Sequence, residues 1–262
     1  MLNDLFFMQT IWLIGGTQES AELAQSIADL GIPCLVTVTT ESAKALYPVV
    51  PTLKIWVGRL QADQLPAFFQ EHGIAAVLDA SHPFAVEISQ QAIAASTQFD
   101  IPYLRYERLP LQVIDSCVIA MPNITSLLCD NLLDGQRVLL TLGYRSLALF
   151  QPWQQRATLF ARILPSVTAL EAAILAGFTP DRIIAMRPPV SAELERSLWQ
   201  QWQITMVVTK ASGAAGGEDI KRQVAADLGV QLVVLERPPI AYPQQTSDVA
   251  VAIQFCQQFC CS

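Results

Sequence analysis

Short apolar runs alternate along the chain with stretches in which apolar residues recur at helical spacing. A short apolar run bounded by turn residues reads as a buried strand, and the helical period reads as an amphipathic helix. In the first half, strands are predicted at residues 11–14, 34–39, 53–57, 75–79 and 103–106, and helices at 20–30, 62–72 and 84–99. Gly31-Ile32-Pro33 and Asp100-Ile101-Pro102 each close a helix and lead into a strand, as C-terminal punctuation does. After Arg108-Leu109-Pro110 the pattern becomes irregular and then restarts. Strands follow at 137–141, 159–162, 183–187, 204–209 and 231–236, with helices at 124–132, 146–150, 167–176, 191–201 and 219–228. Strands alternating with helices predict parallel α/β architecture. The irregular stretch at 109–116 is the expected domain boundary, giving domains 1–112 and 113–262. Residues 26–36 also resemble residues 224–234, each following a glycine-rich turn and a helix, which supports two halves of similar architecture.

Three loops stand at predicted C-terminal strand ends, where open parallel sheets bind ligands. The first is Gly15-Gly16-Thr17-Gln18-Glu19-Ser20. The amides of such a helix start lack partners and sit at the positive end of the dipole, so they suit a phosphate group. The double glycine departs from the G-x-G-x-x-G dinucleotide spacing, and a tight turn without a ligand fits the same residues. The second loop is Asp79-Ala80-Ser81-His82-Pro83-Phe84, with Ser81 the expected helix cap and Pro83 at the first helical position. His82 is one of two histidines; it is either a packed ring or an imidazole placed for chemistry. His72 reads as an exposed helix end with no role. The third loop, residues 209–218, joins a strand to a helix through Lys210, Ser212, Gly213, Gly216 and Gly217. It lacks the Gly-Lys-Ser/Thr of a P-loop and is either an anion site or a surface loop.

Composition narrows the choices. The chain has 262 residues, 52% of them hydrophobic and 15% charged, so it can bury large cores and is not a disordered chain. Its longest apolar runs are far too short to cross a bilayer. The first ten residues lack the basic region and cleavage site of a signal peptide, and Met8 is an alternative start. A net charge of −7 argues against a nucleic-acid surface. With only four lysines, an anionic ligand must rely on local arginines, backbone amides and helix ends. Six cysteines without a C-x-x-C pair predict reduced structural thiols in a cytoplasmic protein, with no metal site. Residues 34–39 end in Thr39-Thr40-Glu41. The hydroxyls of Thr39 and Thr40, with Lys44 nearby, favour the extra phosphate of NADP, whereas Glu41 resembles the acidic residue of NAD-specific folds. Arg59, after Val57-Gly58, either adds a guanidinium near the cofactor or stands solvated.

Together these segments resemble the precorrin-6A reductase family of corrin-ring biosynthesis, in its metal-free and cobalt-dependent branches. The resemblance rests, in order, on Ile14-Gly15-Gly16-Thr17-x-Glu19-Ser20, Val57-Gly58-Arg59 and Asp79-Ala80-Ser81-His82-Pro83-Phe84-Ala85. It continues with Pro102-Tyr103-Leu104-Arg105-Tyr106-Glu107-Arg108, Leu140-Thr141-Leu142-Gly143, Thr209-Lys210-x-Ser212-Gly213 and Glu236-Arg237-Pro238-Pro239. One departure is Ala211, where such proteins often carry Asn, together with the displacement of the following glycines. The resemblance implies two Rossmann-like parallel-sheet domains with the active site in the cleft between them, and an NADPH-dependent reduction of precorrin-6A or cobalt-precorrin-6A to the 6B form. Gly15, Gly16, Thr17 and Ser20 would hold the pyrophosphate, with Thr39, Thr40 and Arg59 at the far end of the cofactor. Ser81 and His82 would lie near the nicotinamide, His82 being the candidate proton donor. Lys210, Ser212, Gly216 and Gly217 would hold the acid groups of the tetrapyrrole-derived substrate. Adjacent enzymes of the pathway are candidate partners; nucleic acid and membrane are not. The competing readings are a non-catalytic nucleotide-sensing module and another NADP-linked reductase or epimerase acting on a small carbonyl compound.

Overall fold

The computed structural model describes residues 9–111 and 117–259. Met8, Cys260, Cys261 and the predicted domain start at residue 113 lie outside the described residues. The chain divides into two units, one made of residues up to Leu109 together with those from Pro239 onward, the other of Pro110–Pro238.

In the first unit the chain runs through β1 (Thr10–Ile14), α1 (Gln18–Asp29), β2 (Cys34–Val38), α2 (Glu41–Lys44) and β3 (Leu53–Val57). It continues with α3 (Leu65–His72), β4 (Ile74–Asp79), α4 (Val86–Gln98) and β5 (Tyr103–Tyr106). These strands pair in parallel in the order β5-β4-β1-β2-β3. Successive side chains of β1 serve opposite faces, as strand geometry requires. Ile11 and Leu13 pack with Leu23 and Ile27 of α1, while Trp12 and Ile14 pack with Leu65, Phe68 and Phe69 of α3 and Ala92 of α4. Both faces are therefore covered, and the strands read as near-continuous apolar runs. Trp12 keeps its polar edge satisfied by donating Nε1–H to Thr37 Oγ1 at 2.9 Å.

The second unit repeats this plan with β6 (Val118–Met121), α5 (Ile124–Cys129), β7 (Arg137–Leu140), β8 (Thr158–Ile163), α6 (Val167–Leu175) and β9 (Ile183–Ala185). Then come α7 (Ala192–Gln201), β10 (Met206–Lys210), α8 (Glu218–Leu228) and β11 (Gln231–Leu235). Its strand order is β6-β11-β10-β7-β8-β9, again parallel throughout. The predicted helix at 146–150 is a longer 3₁₀ stretch, Tyr144–Gln155, which tolerates Pro152 inside it.

The expected second domain, 113–262, needs correction. From Pro239 the chain returns to the first unit, adding β12 (Gln245–Thr246) and α9 (Val249–Gln258). β12 pairs in parallel with β5, whose edge would otherwise be open. α9 buries Ala252, Phe255 and Cys256 in the cluster that holds α1. The similarity of residues 26–36 to 224–234 also falls on non-equivalent places, α1–β2 in one unit and α8–β11 in the other. What the two segments share is a left-handed glycine closing the helix, Gly31 at φ 71° and Gly229 at φ 65°. Among the described residues, no helix is long and apolar enough to cross a membrane.

Candidate active site

In the first sheet the chain builds β2 and β3 on one side of β1 and β4 and β5 on the other. The crevice at such a reversal, at the carboxyl ends of the strands, is where doubly wound sheets take ligands. The glycine turn follows β1 and the Asp79 loop follows β4, so the fold sets the first two predicted loops side by side. A hydrogen bond from Thr17 Oγ1 to the Ala80 carbonyl, 3.1 Å, ties them together.

Gly16 turns the chain at φ 106°, and a Cβ added there would meet nothing within 4 Å. Its α-carbon therefore faces open space, as close approach of a ligand requires. Thr17 caps α1, accepting from the Ser20 amide at 3.1 Å, and its own amide donates to Ser20 Oγ at 3.0 Å. Ser20 is fully buried, so it shapes the turn from below and presents no hydroxyl to a ligand, which corrects its predicted role as a direct pyrophosphate contact. Tyr47, which the sequence did not single out, completes the turn. Its hydroxyl accepts from the Gly16 amide at 2.7 Å and shares a hydrogen bond with Ser20 Oγ at 2.6 Å. Burial raises the Tyr47 pKa, so the phenol keeps its proton.

The second loop stands on a buried polar network. Asp79 is fully buried at the end of β4. Its Oδ1 accepts from the Ser81 amide (3.0 Å) and Arg105 NH1 (2.8 Å), and its Oδ2 from Ser89 Oγ and Tyr103 OH (both 2.6 Å). Arg105 NH1 also donates to Ser81 Oγ at 3.0 Å, and Arg105 Nε to Glu107 at 3.1 Å. Its guanidinium lies over the Tyr242 ring, 5.2 Å from the centroid. Burial alone would lower the Arg105 pKa, but Asp79, Tyr242 and Glu107 more than offset that and raise it. Burial and the Asp79 charge push Tyr103 far above the ordinary phenol range. Arg105 and Tyr103 therefore stay protonated, and the network anchors the loop.

Ser81 is not the predicted helix cap. The helix starts at Val86, its N-cap Ala85 makes no side-chain cap bond, and Ser81 is held by Asp79 and Arg105 instead. His82 is half-buried. Its Nδ1 accepts from the Phe84 amide at 3.2 Å, which assigns the proton of the neutral ring to Nε2. A small hollow lined by Thr17, Ala80, Ser81, Pro83 and Arg105 lies between these loops. Glu19 and Arg108 form an ion pair at its rim.

Thr39, Thr40 and Arg59 follow the carboxyl ends of the paired strands β2 and β3. Thr39 and Arg59 are exposed, and Gly58 N–H bonds the Val38 carbonyl at 2.8 Å, setting Arg59 beside the end of β2. Thr40 caps the short α2, accepting from the Ala43 amide at 3.2 Å.

The third loop follows β10, the strand at which the second sheet reverses beside β7. Ser212 is buried beneath Gly216, where an added Cβ would come within 2.1 Å of Ser212 Oγ. Gly217 adopts φ 68°. The Gly213 amide donates to Glu218 at 2.8 Å, and Arg237 Nε to the Ala211 carbonyl at 2.9 Å. Lys210 is half-buried, and burial lowers its pKa. Lys221 was missed: from sequence, Glu218, Lys221 and Arg222 look like a solvated helix face, whereas Glu218 and Lys221 are buried. Among the described residues, no cluster of His, Cys, Asp and Glu could hold a metal ion.

The family model described as precorrin-6x reductase CbiJ/CobK matches residues 10–257. A cobalt-precorrin-6A reductase of Synechocystis sp. is 50% identical over 254 residues, 96% of this chain and 97% of that protein. The protein of the same name from Priestia megaterium is 34% identical, over 88% of this chain and 92% of its own length. A solved structure titled CobK precorrin-6A reductase superposes with a TM-score of 0.78 at 23% identity, over 96% of this chain and 97% of that one. A match of the family model across nearly all of the described residues, joined by relatives of this identity and coverage, makes the chain a member of the precorrin-6x reductase CbiJ/CobK family.

Proposed function

We propose that this chain is an NADPH-dependent reductase that delivers hydride to the macrocycle of precorrin-6A, metal-free or cobalt-loaded, in corrin-ring biosynthesis. The observation that carries the reading is the pairing, at the reversal of the first sheet, of an open glycine turn with a loop anchored by buried charge. The residues fit a dinucleotide: the approach to Gly16 is unobstructed, and Arg108 neutralises Glu19, the carboxylate that would otherwise repel a diphosphate at the α1 start. When bound, the reduced nicotinamide supplies the hydride.

The chain's own work is binding, orientation and proton placement. The amides of Gly15, Gly16 and Thr17 are taken by Thr37, Tyr47 and Ser20. This turn would therefore offer the pyrophosphate close backbone approach and the dipole of the α1 start, and Thr39, Thr40 and Arg59 would meet the 2′-phosphate. The Asp79–Arg105 pair would hold Ser81 and His82 against the ring without moving a proton itself. His82 Nε2 is the atom from which a proton would reach the reduced substrate. Lys210, Gly216 and Gly217 would take the acid groups of the macrocycle, with Ser212 supporting the turn from beneath Gly216.

The test is anaerobic NADPH oxidation with metal-free and cobalt-loaded precorrin-6A side by side, followed by the absorbance change of the macrocycle. Turnover of either supports the reading. A spectrum that stays constant while NADPH binds points to a nucleotide sensor, and turnover of a small carbonyl compound alone points to a different reductase. Gly16→Ala should weaken NADPH binding at least about tenfold by calorimetry while the fold persists, because a side chain on backbone at φ 106° costs about 1–3 kcal/mol.

A further inference from the structure

Beneath the third loop lies buried charge that the reading above leaves unused. Lys221, in the first turns of α8, is 3% exposed, and its side chain runs back toward the helix start, the direction helical side chains take. Nζ donates to the carbonyls of Gly216 (3.2 Å) and Gly217 (2.9 Å). The neighbouring carboxylates are engaged with other groups. Glu195 takes Arg162 at 2.5 Å and Trp199 Nε1 at 3.0 Å, and Glu218 takes Arg222 at 2.7 Å and the Gly213 amide at 2.8 Å. Asp219 is exposed. Arg162, Lys221 and Arg222 thus stand near Glu195, Glu218 and the exposed Asp219; the two buried carboxylates are each taken by an arginine, so Lys221 is left to the glycine carbonyls. Among the described residues, no carboxylate lies within ion-pair distance of Lys221. A buried ammonium in that state is costly until an anion pairs with it.

We propose that Lys221 is a positioning residue whose charge, buried beneath the Gly216-Gly217 turn, is the counter-ion kept for a carboxylate of the macrocycle. This rests on the third loop being the substrate-binding loop. Lys221 does not touch the substrate. It draws the two glycine carbonyls inward, so that an arriving carboxylate meets the helix start and not repelling oxygens, and it adds a full charge to the helix dipole. Glycine is required at 216 because a side chain would strike Ser212, and at 217 because of its positive φ.

A pH signature follows. Burial, and next the Arg162 charge, lower the Lys221 pKa to about 8. The groups around it are Arg162 from β8, Glu195 from α7, and Glu218, Asp219 and Arg222 from α8. Lys210, on β10, is a second amine whose pKa burial lowers, so substitutions at 221 separate the two. A bound carboxylate favours the protonated amine, so affinity is constant below the pKa and falls as pH rises above it.

The experiment measures binding of cobalt-precorrin-6A to the full chain by tryptophan fluorescence, without NADPH, across neutral to alkaline pH, in the wild type, Lys221→Met and Lys221→Arg. The wild-type Kd is expected to rise above pH about 8. Lys221→Met should bind roughly tenfold to a hundredfold more weakly at neutral pH, its deficit shrinking as the wild-type amine deprotonates. Lys221→Arg should retain affinity and flatten the rise, and NADPH affinity should be the same in all three. Equal neutral-pH affinity of the Met variant and the wild type, or a deficit that stays constant with pH, overturns the proposal while leaving the reductase reading intact. A wild type that does not bind the macrocycle overturns both. If Lys221→Met does not fold, the wild-type and Arg profiles decide: a wild-type Kd flat through pH about 8, or an Arg variant that titrates as the wild type does, defeats the idea.

Discussion

One carboxylate, that of Asp79, accepts four hydrogen bonds, one of them from a guanidinium that is only 1% exposed. Removing one partner of a buried pair leaves the other charge uncompensated. Asp79→Asn should therefore destabilise the first unit by about 3–5 kcal/mol, read from urea unfolding, and a loss below about 1 kcal/mol would show that Arg105 finds another partner. Burial and the Asp79 charge raise the Tyr103 pKa, so that phenol should keep its proton over the working pH range. The glycine turn makes a similarly local prediction. An added Cβ at Gly15 lies 2.3 Å from the Tyr47 hydroxyl and 2.9 Å from Val36 Cγ1. Gly15→Ala should cost about 1–3 kcal/mol by overpacking. Adding Tyr47→Phe should recover part of that loss, and strictly additive effects in the double-mutant cycle would mean the hydroxyl is not the obstacle.

At the scale of elements, what the sequence disclosed was what depends on neighbours in the chain. The strands of both sheet centres and the three ligand loops follow from hydrophobic period and glycine punctuation, because those signals are local. Ser81 deceived because a cap is recognised by residue type, while its Oγ accepts from Arg105, brought in by β5, and the helix begins only at Val86. Tyr47, Arg105 and Lys221 were illegible as site residues, since each acts through contacts set by packing. β12 was missed because a two-residue edge strand has no period to read. The return of α9 to the first unit is equally non-local, and it can be weighed. Phe255 is buried against the cluster of α1, so Phe255→Ala should cost about 3–4 kcal/mol in thermal unfolding. A change below about 1 kcal/mol would mean that the helix is peripheral to stability.

At the scale of the molecule, two parallel sheets with the same reversal each carry a glycine loop there, while the protein as a whole carries a net charge of −7. On the proposed function, a polycarboxylate would be bound by local donors and would not be drawn in by the overall field. Raising salt from low to physiological strength should change kcat/KM for the macrocycle by less than about threefold, and a tenfold fall would reveal long-range steering. The discontinuity of the first unit sets a further expectation. A ribosome emits β1 before and α9 after the whole of residues 110–238, so the first unit can be completed only once the second has already emerged. Nascent chains arrested before residue 245 should show a protease-resistant middle and a labile beginning, an inversion of the usual order in which domains mature from the amino end.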